Sequence, residues 1–227
     1  MGDMKQWLRV QDSVTDEDPV ITGLVQAARE TAEVYTGRAL AKRTFCMVLD
    51  AHPYYTDTIQ GGGAYPLAGY YSLPKFATTL WNYAQQIKLA FSPVISVESI
   101  VSVQPDGTTK TMNQDVDFLL DRISEPARIF PLPGTTWPPD LYVANAVQIN
   151  FTAGYDPDPT AIDTHTFTGA GQQPTSKIVT GIPQTIIVAI KQLANYWYEN
   201  RGMSGTVPAQ IEQALYSQAV VDWAPTR

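Results

Sequence analysis

The side chains that most often do chemistry are scarce in this 227-residue chain, and their spacing works against a shared site. There are two histidines, His52 and His165, both in loop-like sequence with no second ligand three or four residues away. A metal site needs His, Cys or carboxylate groups to converge, and no such spacing occurs. Each histidine therefore reads as a lone exposed imidazole that titrates near neutrality without a task. Cys46 is the single cysteine, which excludes an internal disulfide framework and a thiolate zinc cluster. A reactive thiol needs an electropositive, accessible setting, so Cys46, within a strand-like run, reads as a small core hydrophobe. Gly169-Ala170-Gly171-Gln172-Gln173-Pro174 has the outline of a phosphate-binding glycine loop, but a proline stands where the third glycine belongs. No helical stripe begins until Pro183, so backbone amides would not converge on a phosphate. Asp156-Pro157-Asp158-Pro159 lacks the ligand count of a calcium loop and reads as a solvated turn. Glu30, Glu33, Glu199 and Glu212 are the remaining acid–base candidates. On helix surfaces such carboxylates face solvent or pair with nearby Arg29, Arg38 or Arg201. The expectation is no catalytic, cofactor or metal site, and a chain that is not an enzyme.

Composition points the same way. The hydrophobic fraction is 44% and the charged fraction 16%, against about 25% charged in average proteins, which leaves surface for partners. The net charge is −7. Residues 1–41 carry four basic and seven acidic groups, residues 42–182 eight and twelve, and residues 183–227 three and three. There is no Lys/Arg cluster, so binding DNA by neutralising phosphates is disfavoured. An acidic protein can still surround a duplex that has to slide. The N-terminus lacks an apolar signal core, and no stretch approaches the roughly 18 apolar residues of a membrane span. Asn150-Phe151-Thr152 fits a glycosylation sequon, yet without a secretion signal it reads as a strand end. An intracellular product folded in a reducing compartment is expected.

The elements that must position these residues follow from periodicity. Ile21, Leu24, Val25, Ala28, Ala32 and Tyr35 recur at helical spacing and predict a helix over residues 16–36. Thr15 or Asp18 is the expected N-cap, Pro19 is tolerated in the first turn, and Gly37 suits a left-handed C-terminal cap. From residue 42 the period becomes two, with Phe45, Met47 and Leu49 on one face. Strand-like runs follow at 86–91, 94–103, 108–112, 116–121, 127–130 and 145–153, with a hairpin turn at Pro105-Asp106-Gly107. Residues 51–84, rich in Tyr, Gly and Pro, and residues 155–181 read as long loops of the kind that is functional or ordered by a partner. Helical period returns with Ile186, Ile190, Leu193, Ala194 and Trp197, ending at Arg201-Gly202. A shorter helix begins at Pro208, with Ile211, Leu215 and Ala219 on one side. The expected fold class is α+β: a small helical bundle made by residues 1–41 and 183–227, with an antiparallel β-rich region, 42–182, inserted between them. One medium domain, or a core domain carrying that insertion, suits the length.

These residues also carry a family pattern. The stretch WLRV at 7–10 and DEDPVITGLVQAARETAEVYTGRAL at 16–40 resembles the opening of the tailed-phage head–tail connector (adaptor, or head-completion) family. Family-like runs continue as SPVISVESIVSVQPDG at 92–107, RIFPLPGTTWP at 128–138, AVQINFTAGY at 146–155 and IPQTIIVAIKQLANYWYENRG at 182–202. Arg29, Glu33, Tyr35, Gly37, Arg38, Trp197, Tyr198 and Arg201 are the motif positions.

The resemblance implies a structural virion protein made in the host cytoplasm and carried in the particle's neck. Copies would form a ring, commonly of twelve, beneath the portal protein and around the DNA channel. Packaged DNA would pass through without sequence-specific binding, and a stopper or tail-completion protein would dock next; no cofactor and no membrane are implied. Tyr216, Val220, Val221 and Trp223 are the candidates for docking to the portal. Residues 51–84 and 155–181 exceed the connections expected in the family, and Tyr54, Tyr55, Tyr70, Tyr71 and Trp81 are candidates for contacts with neighbouring copies or partners. Those same residues, Trp81 included, together with Tyr65 carry an alternative, a glycan- or receptor-binding β module of a phage particle. A hydrolase or nuclease of packaged DNA is a third reading, and it lacks a metal constellation.

Overall fold

The computed structural model describes residues 2–52, 86–132, 135–138, 141–157, 163–167, 175–200 and 206–220. Its elements are α1 (Gly2–Leu8), α2 (Asp18–Thr36), β1 (Arg43–Leu49), β2 (Ile87–Lys88), β3 (Val94–Val103), β4 (Thr109–Met112), β5 (Phe118–Asp121), β6 (Arg128–Pro131), β7 (Val147–Ala153), β8 (Asp163–Phe167), β9 (Thr175–Val179), α3 (Gln184–Glu199) and α4 (Ala209–Tyr216). The fold is α+β, with helices from both ends of the chain packed together and the strands between them.

The helical part forms because each helix has one apolar stripe to bury. Ile21, Ala28 and Ala32 of α2 meet Ile186, Ala189, Leu193, Ala194 and Trp197 of α3. Ile211 and Leu215 of α4 and Met4 of α1 close the cluster. The alanines on the facing stripes let the α2 and α3 backbones approach closely. Helix α1 was not anticipated, since seven residues are too few to display a stripe. It is held by Lys5, whose buried ammonium lies 2.7 Å from the Asp18 carboxylate and donates to the Val14 carbonyl at 2.8 Å. That contact corrects the expected cap. Glu17 occupies the N-cap of α2 without a side-chain capping bond, while the Asp18 carboxylate is turned to Lys5 and Thr15 accepts the Asp18 N–H through its carbonyl. Gly37 does take the left-handed C-terminal cap, at φ 64°.

Strands β1 to β7 make two sheets around a second cluster. One has order β1-β7-β3-β4 and the other β2-β6-β5, and every pairing is antiparallel. Central strand β7 alternates as period two requires, burying Val147, Ile149, Phe151 and Ala153. The register of β1 sets Phe45 opposite Phe151, and their rings stack at 5.6 Å. Phe45, Met47 and Leu49 do share the inner face. The same alternation turns Cys46 outward, so the expected core cysteine is an exposed one. The turn at Pro105–Gly107 forms as expected, with Gly107 at φ 84° and its N–H on the Gln104 carbonyl at 2.9 Å. Residues 155–181 are not a plain loop: β8 and β9 pair as a hairpin from Asp163↔Val179 to Phe167↔Thr175. His165 thus lies in a strand rather than a loop.

One glycine is dictated by how the two parts join. Where β7 ends, Gly154 adopts φ 122°, and a Cβ there would lie 2.3 Å from the Ala41 carbonyl oxygen. Its N–H donates to the Pro93 carbonyl at 2.9 Å. Only glycine allows both the dihedral and the approach.

Candidate functional site

Three parts of the chain meet at the C-terminal end of α2. The left-handed turn at Gly37 ends the helix and sends Arg38 across the junction. Its Nε donates to the Gln218 carbonyl at 2.8 Å, Nη1 to the Tyr155 hydroxyl at 3.2 Å, and Nη2 to the Glu125 carboxylate at 2.6 Å. A planar guanidinium suits this task because its donors leave in fixed, divergent directions. Burial alone would lower the Arg38 pKa, but the hydrogen bond to Glu125 and the charges of Tyr155 and Glu125 raise it above its ordinary value. Burial pushes the Tyr155 phenol up, against the pull of Arg38. Backbone bonds reinforce the joint: Val220 N–H donates to the Thr36 carbonyl at 2.9 Å, and Ala39 N–H to the Ser92 carbonyl at 3.0 Å. Helix α2, the inserted sheets and the segment after α4 are thereby fastened around one residue.

The other motif positions support this joint. Glu33 was expected on the solvent face or paired with Arg29, Arg38 or Arg201; instead it is buried. Its carboxylate accepts from Leu40 N–H at 2.9 Å and from Arg43 Nη2 at 2.5 Å. The turn at Gly37 folds residues 40–43 back over the last helical turn, which no helix-surface argument includes. Tyr35 packs edge-on against Tyr216, with centroids 5.4 Å apart. Trp197 is buried and its indole N–H donates to the Thr206 carbonyl at 2.8 Å. The Tyr198 hydroxyl donates to the Glu17 carboxylate. Arg29 is half-buried on α2, whereas Arg201 lies outside the described residues.

Two of the four docking candidates are engaged within the chain itself. Val220 is buried against the end of α2, and Tyr216 is half-buried on Tyr35. Val221 and Trp223 lie outside the described residues, as do Tyr54, Tyr55, Tyr65, Tyr70, Tyr71 and Trp81.

Among the described residues, groups suited to chemistry do not gather. Among the described residues there is no group of three or more His, Cys, Asp or Glu side chains placed to hold a metal ion. His52 is not the exposed imidazole expected from sequence. It is 3% exposed, lies flat on Trp137 with centroids 4.8 Å apart, and its Nε2 shares a 2.9 Å hydrogen bond with the Ser102 hydroxyl. Burial pulls its pKa down to about 4. Asp121 is a second buried polar residue that sequence did not single out. Burial would raise its pKa, but hydrogen bonds from Ser124 and Arg128 outweigh that and lower it. It ties the β5–β6 connection through Ile123, Ser124 and Arg128. An open groove of about 380 Å³ along α2 is lined by Leu24, Ala27, Thr31, Val34, Tyr35 and Trp197, with Glu30 as its one ionisable carboxylate. The lining is mostly apolar.

Residues 1–102 match the family described as phage gp6-like head–tail connector protein. No curated protein matches the chain. Among solved structures, a chain in the neck of an empty GTA particle with C6 symmetry superposes at TM-score 0.60 and 19% identity, covering 97% of this chain and 88% of that one. A chain in the virion of a native gene transfer agent (GTA) particle gives 0.59 and 19%, covering 100% and 89%. A chain in the neck of a native GTA particle with C12 symmetry gives 0.54 and 19%, covering 92% and 83%. The head–tail connector family read from the motifs is thus the family that matches residues 1–102, and the fold of the whole chain is one that gene transfer agent necks contain.

Proposed function

We propose that the chain is a structural virion protein, a head–tail adaptor whose copies form a ring beneath the portal and around the DNA channel. The ring presents the platform on which the next neck or tail component docks. The observation that carries this reading is the coincidence of the connector-family match over residues 1–102 with a fold shared, over nearly the whole chain, with neck chains. Charge supports it independently: a chain of net charge −7 repels the phosphates of a passing duplex and does not grip them. The subunit's role is mechanical, joining parts by buried contacts, and no catalysis is assigned to it.

Docking to the portal falls to residues 221–227, because Val220 and Tyr216 are used by the subunit itself. Weak contacts from a short segment become firm when many copies in a ring make them together. A chain ended after Val220 keeps the Thr36 and Arg38 bonds to the segment after α4, and so keeps its fold. Its circular dichroism and unfolding midpoint should match the full chain, while its incorporation into portal-bearing heads should fall at least tenfold in a complementation assay. Normal incorporation would refute the docking role.

A further inference from the structure

The four-stranded sheet has two unlike edges. Strand β4 ends one of them, and it is short and carries Lys110, which is how edges are normally blunted. Strand β1 ends the other. It runs seven residues, and between Arg43 and Asp50 it has no charge and no proline, with Thr44, Cys46 and Val48 exposed on its outer face. Among the described residues nothing pairs with its second side. A row of free backbone donors and acceptors on so plain a strand is a site for strand addition.

The same chain carries a matching donor. The β8–β9 hairpin forms its own two-stranded sheet and pairs with no other described strand. It is rooted through Val179 and Ile182 on the helical cluster, and Ile178 beyond the root is 63% exposed. A two-stranded hairpin standing alone is marginal in water and gains stability by joining a larger sheet. Thr180, Gly181 and Ile182 at the root line a cleft of about 770 Å³ with Leu40, Ala41 and Lys42, which lead into β1, yet arm and edge do not pair within the chain. Each copy therefore offers one donor arm and one acceptor edge at different places. That is the requirement for a heterologous contact, repeated head to tail until a ring closes.

We propose that the β8–β9 arm of one copy adds to the β1 edge of the next, extending the four-stranded sheet across the subunit boundary. This rests on the ring reading above and names the surfaces through which copies meet. Side chains of the added strand then stand beside those of β1, about 5 Å away on the same face. Cys46, exposed at the middle of β1 and alone in the chain, reports that neighbour directly.

The test places one cysteine at a time in the arm of the full-length protein, as Thr166→Cys, His165→Cys, Ile178→Cys and Lys177→Cys, covering both faces of both strands. Necks purified from particles are oxidised with diamide and run on a non-reducing gel. At least one variant should give a ladder of joined copies that disappears when Cys46→Ser is added. Thr109→Cys, on the β4 edge, should give none. Rings that yield no ladder with any of the four variants would overturn the arm contact while leaving the ring reading intact. Cross-links confined to single copies, or a ladder from Thr109→Cys alone, would overturn it as well. Wild-type necks without a ring of this subunit would remove the ring reading itself, a result separate from the other three.

Discussion

Arg38 concentrates at one residue what the junction needs. Its side chain is 13% exposed and that of Glu125 25%, so water screens their pairing poorly. Arg38→Ala should destabilise the subunit by about 2–4 kcal/mol in urea unfolding, since it strands the Glu125 carboxylate and the Gln218 carbonyl. Arg38→Lys should recover little, because an ammonium cannot hold three acceptors in one plane. A double variant with Glu125→Gln should cost less than the two single losses combined. His52 makes a prediction in pH. Its folded pKa of about 4 lies below the ordinary 6.5, so between those values the unfolded chain binds the proton and the folded chain resists it. Stability should fall by about 3 kcal/mol as pH drops from 6.5 to 4, with no further loss from this residue below that range. The slope in that window should flatten in His52→Gln, and an unchanged slope would contradict the assignment. Gly37 was legible in sequence because a helix end followed by glycine has one common structural meaning. Glu125 was not, because it stands 87 residues from its partner and only the tertiary fold brings them together. Cys46 was misread although the pattern held the answer: with Phe45 and Met47 inward, the residue between them faces out.

At the scale of elements, stability divides between two clusters fastened at a crossing. Leu193 is fully buried between α2 and α3, and Leu193→Ala should cost about 2–5 kcal/mol, read from the shift in unfolding midpoint. Gly154→Ala should cost at least about 3 kcal/mol, since it adds a forbidden dihedral to a clash with the backbone at Ala41. A variant as stable as wild type would mean that β7 leaves the sheet by another path. Long elements with a clear period were legible: α2, α3, β3 and β7 lie within about two residues of where their patterns place them. The short ones were not. Helix α1 has a single turn or two in which to show a stripe, and the β8–β9 hairpin is Thr-rich, with its alternation hidden among turn-forming neighbours. Both depend on contacts made elsewhere, α1 through Lys5 and the hairpin through its root at Val179.

For the molecule as a whole, the charge balance, the helices joined from both chain ends and the connector-family pattern were present in the sequence, and they are what the proposed neck role rests on. The surfaces proposed for contact between copies were not, because an open strand edge is defined only once the order β1-β7-β3-β4 is known. The account requires that this subunit work as one of many, seated where head joins tail. Electron cryomicroscopy of purified particles, with the subunit located by a fused tag, tests that requirement most directly. The expected result is a closed ring of copies between portal and tail, with density for the α2–α3 helices in every copy. A subunit absent from the particle, found instead as a free monomer that turns over a small molecule, would contradict it.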